Sequence, residues 1–555
     1  MRKYVSPLIL LLIFFFMLVF FPEMGIARTY DYIFIKEDGS IDPITAPIQR
    51  SGNIYILKEN TAISLIIEKD DFVLDGAGYT LEGPGFGDSP PRINMTGISN
   101  LTITNMVLRG PNHGIVMSNC SSIKIIDNDI EIRLGKKGVL VKSSSNISIM
   151  DNRIIGKMAA VELSMSSNST INGNYLSTYT GFNGILLYNS SNNEINSNFF
   201  YSSTYGVNLY YSDGNRIFNN NLTSHWTSIA LESSSNNQIV ENILEDNKRM
   251  TYDIGFQMNN SSNNDFIGNI IRNSQRCIQI DYSSNNKLEN NIITGSSITD
   301  TDSWGIKLTE SNNIIIIGNH LNLATLNEDY PGIVFGILLE YSSNNLIIDN
   351  NVTYYEGGLG IKSSHNNTIS ENIITNNFRG LDLTASDYNI VSGNQITNNN
   401  DGIALENMYN NIIENIITDN SNFGIYLYGA GYNNIIGNNI TNNGRGISIS
   451  ICYNTTIFHN NFVNNRNHVE TDDSNGIWDK NEEGNYWDNY NGADNDGDGI
   501  GDIPHLINEN NQDNYPLVEP TIIPEFPSWP ILQLIVVVTL VSVTIRNKLR
   551  RNWLE

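Results

Sequence analysis

Asp494, Asp496 and Asp498 stand at alternate positions, and Gly499 follows them. This is how an EF-hand-type calcium loop opens. Alternate carboxylates turn toward one centre, and the glycine permits a sharp bend. Ile500 would offer its backbone carbonyl, and Asp502 stands at the ninth position of the loop. The twelfth position is His505 rather than a glutamate, so a bidentate carboxylate has to come from elsewhere, and Asp513 is the candidate. The expected cofactor is therefore a structural calcium ion. A solvated acidic turn is the plainer alternative.

A second set of reactive side chains gathers in three stretches between residues 243 and 335. The first holds Asp246, Lys248, Arg249, Tyr252 and Asp253, and the second holds Asp300, Asp302 and Trp304. The third holds Glu328, Asp329 and Tyr330, while Arg272 and Arg276 lie between the first two. Carboxylates beside aromatic rings suit sugar recognition, which makes Tyr252, Trp304 and Tyr330 the candidate ligand-binding residues. Two carboxylates at a suitable separation could hydrolyse a glycosidic bond. An arginine beside calcium could instead support a lyase-type proton abstraction. Asp246, Asp302, Glu328 and Arg272 are the candidates for such catalysis. Tolerated loop insertions with solvated charges would carry the same residues.

A repeat must position both sets. An asparagine recurs about every 22 residues, from Asn105, Asn128, Asn152 and Asn174 through to Asn438 and Asn460. A fixed period of this size marks a solenoid. Units such as SSNNKLENNII at 283–293 alternate with short apolar runs, GVNL from Gly206 or GIAL from Gly402. Alternation is the strand signature. Gly and Asn tolerate left-handed backbone at the corners. So short a unit cannot bury its own apolar face, but stacked copies can. The expected fold is all-β: a right-handed parallel β-helix of about 16 coils, the hand following from the preference of parallel crossovers. The repeated asparagine should then form a side-chain ladder along the rod. From that asparagine to the next glycine-type position is usually eight residues. It is 13 from Asn242 to Gly255, 14 from Asn291 to Gly305 and 17 from Asn319 to Gly336. The three insertions should therefore project side by side from one corner and wall a groove.

The ends carry addresses. Arg2 and Lys3 precede an apolar run and small residues at Gly25 and Ala27, which reads as a signal peptide over 1–27. An N-terminal cap over 28–69, the repeats over 70–465 and an acidic C-terminal cap over 466–520 should follow. A proline-rich stalk at 521–530 leads into an apolar membrane anchor and basic tail at 531–555. The protein is expected to be exported and held on the outer face of the cell membrane. A net charge of −26 argues against nucleic acid. Glycans and other envelope proteins are the expected partners. Cys120, Cys277 and Cys452 fall in coils far apart, too distant for a bridge that needs Cα atoms within about 7 Å. Asn-x-Ser/Thr sequons are frequent, for example at Asn94, Asn100, Asn146, Asn221, Asn351 and Asn439, and suit an exported protein.

With these residues in view, the region from about Tyr30 to Pro516 resembles archaeal secreted proteins with the periplasmic copper-binding, NosD-type β-helix. The matching segments are APIQR at 46–50, VLDGAGYTLEG at 73–83, the SSNN repeats, GNYWDNY at 484–490, DNDGDGIGD at 494–502 and QDNYPL at 512–517. The resemblance implies a right-handed, pectin-lyase-like fold. The repeats are also similar to those of carbohydrate-binding and sugar-hydrolase β-helix domains. PEFP at 524–527, before the apolar segment, is similar to archaeal surface-sorting tails. The copper part of the family description transfers poorly, because copper asks for clustered His, Met or Cys. Here His113, His225, His320, His365, His459, His468 and His505 are scattered, and only His459 and His468 are near one another. The expected function is a surface-anchored carbohydrate-binding or structural envelope module. A polysaccharide lyase or hydrolase is the alternative. A metal-handling role comes third and would need a further soft ligand beside His459 and His468.

Overall fold

The computed structural model describes residues 32–83, 90–134, 136–179, 182–245, 253–296, 303–324, 334–472 and 474–522. The expected signal peptide and membrane anchor lie outside the described residues. Every regular element among the described residues is a β-strand, and no helix is long and apolar enough to cross a membrane.

One coil shows the plan. A long strand, Arg379–Thr384, is followed by a middle strand, Ile390–Ser392, and a third strand, Gln395–Thr397. The next long strand, Asp401–Glu406, begins the same circuit again. Each strand pairs in parallel with its copy one coil on: Leu381 faces Ile403, Val391 faces Ile412 and Ile396 faces Ile417. All six are fully buried, so apolar side chains stack along the axis in unbroken columns. This is how units too short to fold alone share one core. The rod has about 18 turns. That exceeds the 16 expected because both presumed caps carry coil strands. Tyr32–Ile35 pairs in parallel with Ser64–Ile67, and Tyr486–Trp487 pairs with Asn461–Phe462.

Three corners join the strands. The first, between long and middle strands, places two residues in left-handed backbone, such as Ser363 (φ 48°) and Asn366 (φ 56°). The buried Ser364 and Asn367 lie beside them. The third corner, before the next long strand, closes tightly. A Cβ on Gly402 would stand 2.4 Å from the carbonyl oxygen of Gly424, which explains the glycine there.

The asparagine ladder exists, and its arithmetic is complete at each rung. Asn372 Nδ2 donates to Asn394 Oδ1, to the carbonyl of Ile347 and to that of Ser370, each at 2.9 Å. Asn372 Oδ1 accepts from the backbone amide and the Nδ2 of Asn350. The ladder does not start at Asn105. That residue is left-handed (φ 52°) and reaches back to Asp75, and the amide donating to Asn128 belongs to Met106. Asn105 stands one residue too early in its coil. At the other end the ladder runs past Asn460 to Asn485 and stops on Asp513. Further ladders run beside it: serines (Ser342 to Ser364 to Ser386), a second asparagine column (Asn345 to Asn367 to Asn389) and a third (Asn377 to Asn399 to Asn420).

Asp513 is not free to serve the calcium loop. It is fully buried, and its Oδ2 accepts from the amide of Asn485 at 2.7 Å and from Trp487 Nε1 at 2.9 Å. Trp487 closes the rod, stacked between Phe462 (4.3 Å) and His505 (4.6 Å). The three cysteines are buried thiols, and none is bridged to another.

Candidate functional site

The three insertions leave from the third corner of neighbouring coils. Ile254, Arg276, Trp304 and Phe335, the first or second residues of successive long strands, are in register. The strands that follow the insertions are therefore in register, while the insertions themselves lie largely outside the described residues. Of their residues, Asp246, Lys248, Arg249, Tyr252, Asp300, Asp302, Glu328, Asp329 and Tyr330 lie outside the described residues. Trp304 is described, and it is almost wholly buried. Arg276 Cζ lies 4.8 Å from its ring centre, and Lys307 Nζ lies at the same distance. These cation–π contacts use ring surface that a ligand would otherwise meet. Lys307 is held in turn by Glu340 at 2.8 Å. Phe335, the neighbour of Trp304, lies flat over Gly357 and Gly360, where a Cβ would come within 2.3 Å and 2.6 Å of its ring. Trp304 and Phe335 thus floor the long-strand face. Arg272 is exposed on a third strand between Glu245 and Thr294, across the corner from that floor.

Asp253 stands just before the long strand Ile254–Asn259, two coils from Trp304. It is 3% exposed, its Oδ1 has no hydrogen-bond partner among the described residues, and the amide of Arg276 donates to its backbone carbonyl at 3.1 Å. Burial pushes its carboxyl pKa up to about 6.

The second concentration of exposed groups lies on the first corner. Tyr211, Tyr282 and Tyr341 occupy its first left-handed position, with φ of 51°, 50° and 52°. Tyr282 is 58% exposed and Tyr341 65% exposed, and neither ring touches another aromatic ring among the described residues. Tyr388, Tyr409 and Tyr432 take the second left-handed position, where Asn285, Asn344 and Asn366 stand in other coils. Their rings stack at 5.1 Å in each step, tilted by only 8° and 10°. Tyr453 meets Tyr432 edge-on and lies over Gly431, its hydroxyl 3.4 Å from Met408 Sδ. A bulky residue in left-handed backbone costs about 1–2 kcal/mol, and asparagine relieves much of that cost. One corner therefore presents a line of exposed tyrosines, held at some conformational expense. The sequence reading missed it, although Tyr388, Tyr409 and Tyr432 recur in step with the repeat. They look like ordinary corner residues until their exposure is known.

In the acidic loop, carboxylate oxygens of Asp494, Asp496 and Asp498 lie within 4.8 Å of one another. Asp502 faces away, accepting from Asn495 Nδ2 and from the Asn495 amide. The Ile500 amide donates to Asp498 Oδ1. The histidines are dispersed among separate partners. His225 is buried against Ser203 Oγ at 2.8 Å, and His365 Nδ1 accepts from the Asp387 amide. His459 pairs with Glu483 and His468 with Asp488. His468 and His505 come together over Trp487, a proximity that 37 positions of separation had hidden. Burial and the neighbouring lysines, led by burial, lower the His113 pKa to about 4. Among the described residues the aspartate trio is the only convergent group of three His, Cys, Asp or Glu ligands.

The model of one family, described as periplasmic copper-binding protein (NosD), matches residues 54–253, 183–332 and 325–492. No curated protein matches the chain in sequence. Among solved structures the chain is similar to the tailspike protein of E. coli bacteriophage HK620 in complex with pentasaccharide. The identity is 15% and the TM-score 0.39, over 59% of this chain and 69% of that one. It is also similar to the DFA-IIIase of Arthrobacter chlorophenolicus A6 in complex with DFA-III. There the identity is 14% and the TM-score 0.37, over 53% of this chain and 82% of that one.

Proposed function

Since this chain belongs to the NosD family of periplasmic copper-binding proteins, we propose that it works outside the cytoplasm, as a rigid rod that binds carbohydrate chains. The observation that carries this reading is the tyrosine line of the first corner. Tyr282 and Tyr341 are more than half exposed, strained in left-handed backbone and without an aromatic neighbour among the described residues. Strain retained without a packing return points to use. They stand two coils apart, about 10 Å at the spacing of parallel strands, a distance on the scale of an extended disaccharide. Flat rings with a hydroxyl at the tip offer sugars an apolar face and a hydrogen bond together. Changing both Tyr282 and Tyr341 to Ala should weaken retention in polysaccharide-containing gels about tenfold or more. Retention equal to that of the unchanged protein across neutral and acidic polysaccharides would remove this site.

Copper does not fit the residues described. Five of the seven histidines already bond partners of their own, His505 is stacked on Trp487, and the cysteines are in the core. Calcium fits the aspartate trio better, because it takes oxygen ligands. In the arrangement described, Asp494, Asp496 and Asp498 would hold it, with Asp502 having to leave Asn495 to join. Calorimetry with millimolar calcium should show heat that Asp496→Ala abolishes, and a flat titration of the unchanged protein ends the proposal.

One observation favours a second reading, a polysaccharide hydrolase or lyase. Asp253 is a buried carboxyl at the start of a long strand two coils from Trp304, with its pKa raised to about 6. A group still protonated at pH 5 can act as a general acid. As an acid it works only in its protonated form, so turnover of a susceptible polysaccharide should fall as pH rises through about 6. Asp253→Asn should abolish that turnover. Activity that persists in the variant, or that climbs through pH 6, removes Asp253 from the role.

A further inference from the structure

The sequons change meaning once their places in the coil are known. Those at Asn221, Asn351 and Asn439 lie within strands, in extended backbone bonded to the coils on either side. Another set gathers on the first corner of five successive coils toward the N-terminal end, one in each: Asn100, Asn119, Asn146, Asn168 and Asn189. All five are exposed and left-handed, with φ between 47° and 55°. In each the next residue (Leu101, Cys120, Ile147, Ser169 or Ser190) is buried, and the hydroxyl residue after it is partly exposed. The asparagine amide and the sequon hydroxyl therefore emerge on the same side of the chain. No described residue bonds the side-chain amides of Asn119, Asn146 and Asn189. The Asn168 amide has only a 3.4 Å contact with Ser167 Oγ, while that of Asn100 donates to Asp71 at 2.8 Å.

We propose that this N-terminal stretch of the first corner is a glycosylated stripe, carrying N-linked oligosaccharides on the asparagines of successive coils. A transferase needs an amide and a hydroxyl it can reach together, on backbone it can bend without tearing a ladder. The corner meets the first need with exposed asparagines, although its backbone is tied to the next coil at Asn119, Asn146 and Asn189. The asparagines of the strand sequons are only half-exposed and bonded on both sides. In the transfer, Nδ2 bonds to the anomeric carbon of a diphosphate-linked oligosaccharide. That carbon's bond to phosphate oxygen breaks, the amide loses one proton to a base of the transferase, and the diphosphate departs as the anion. One coil on, Tyr211 stands where Asn189 stood, and the corner sequons beyond it, at Asn260, Asn366 and Asn454, no longer fall in successive coils.

The test is glycopeptide mass spectrometry on the full chain purified from the cells that make it, fractionated to show where it resides. The expected result is sugar mass on at least two of the five corner asparagines and none on Asn351 or Asn439. Ser148→Ala and Thr170→Ala should remove it from Asn146 and Asn168 while leaving both asparagines in place. An exported chain unmodified at all five overturns the stripe alone. Equal occupancy of strand and corner sequons overturns it too. A chain confined to the cytoplasm overturns the stripe and the proposed location together.

Discussion

Asn372→Ala should cost the fold about 3–5 kcal/mol, more than any surface change. The side chain is fully buried and makes five hydrogen bonds, so its loss orphans groups on three coils. The amide of Asn350 loses its acceptor, its Nδ2 loses one of three, and Asn394 Oδ1 and the carbonyls of Ile347 and Ser370 each lose a donor. Each buried polar group left unpaired costs about 1–3 kcal/mol, partly relieved where water enters. Asn372→Asp should fare no better at neutral pH, because a carboxylate cannot donate to the three oxygens that face it. Contacts in a solenoid run between nearest neighbours, so the damage should be local. Hydrogen exchange should accelerate in the coils from 347 to 394 and leave distant coils protected. Urea unfolding that shows a loss under about 1 kcal/mol would falsify the claim that the ladder stabilises the rod.

The second large effect belongs to Asp513→Ala. This carboxylate is the last acceptor of the ladder, taking the amides of Asn485 and Tyr515 as well as Trp487 Nε1. Burial raises its pKa and those hydrogen bonds oppose the rise. Truncation should cost about 2–4 kcal/mol through unsatisfied donors around the tryptophan. The rod should then fray from its C-terminal end. Trp478 and Trp487, both buried, would report that as a red-shifted fluorescence transition at lower urea than the loss of strand signal. A single transition at the unchanged midpoint would show that the end is held by ring stacking and strand pairing without the carboxylate. Gly484→Ala provides an independent check, since its Cβ would fall 1.9 Å from Asp513 Oδ1.

The role of Asn372 is legible in the sequence, and that of Asp513 is not. Asn372 repeats in step with Asn350 and Asn394, so its environment is written in its neighbours' spacing. Asp513 belongs to no repeat, and its acidic surroundings suggest a metal ligand. Only the return of the chain over Asn485 and Trp487 gives it a different task. Asn105 fails as a ladder residue for a smaller reason, because a shift of one residue exchanges a buried corner position for an exposed left-handed one. Counting residues between repeats is enough to find the insertions between 243 and 335 and to locate their corner. Counting cannot tell that Trp304 sinks between Arg276 and Lys307.

By itself the sequence determined the parallel coil, its core columns, the asparagine ladder and the corner from which the insertions leave. In a solenoid the partner of every residue stands one period away, so long-range contact is encoded as local repetition. The tertiary structure alone decided which side chains are spent and which remain available. It buried Asp513 and Trp304, brought His468 and His505 together over Trp487, and left Tyr282 and Tyr341 in solvent. Exposure depends on the path of the corners and the closure of the ends, where the period breaks and spacing carries no information about what lies opposite.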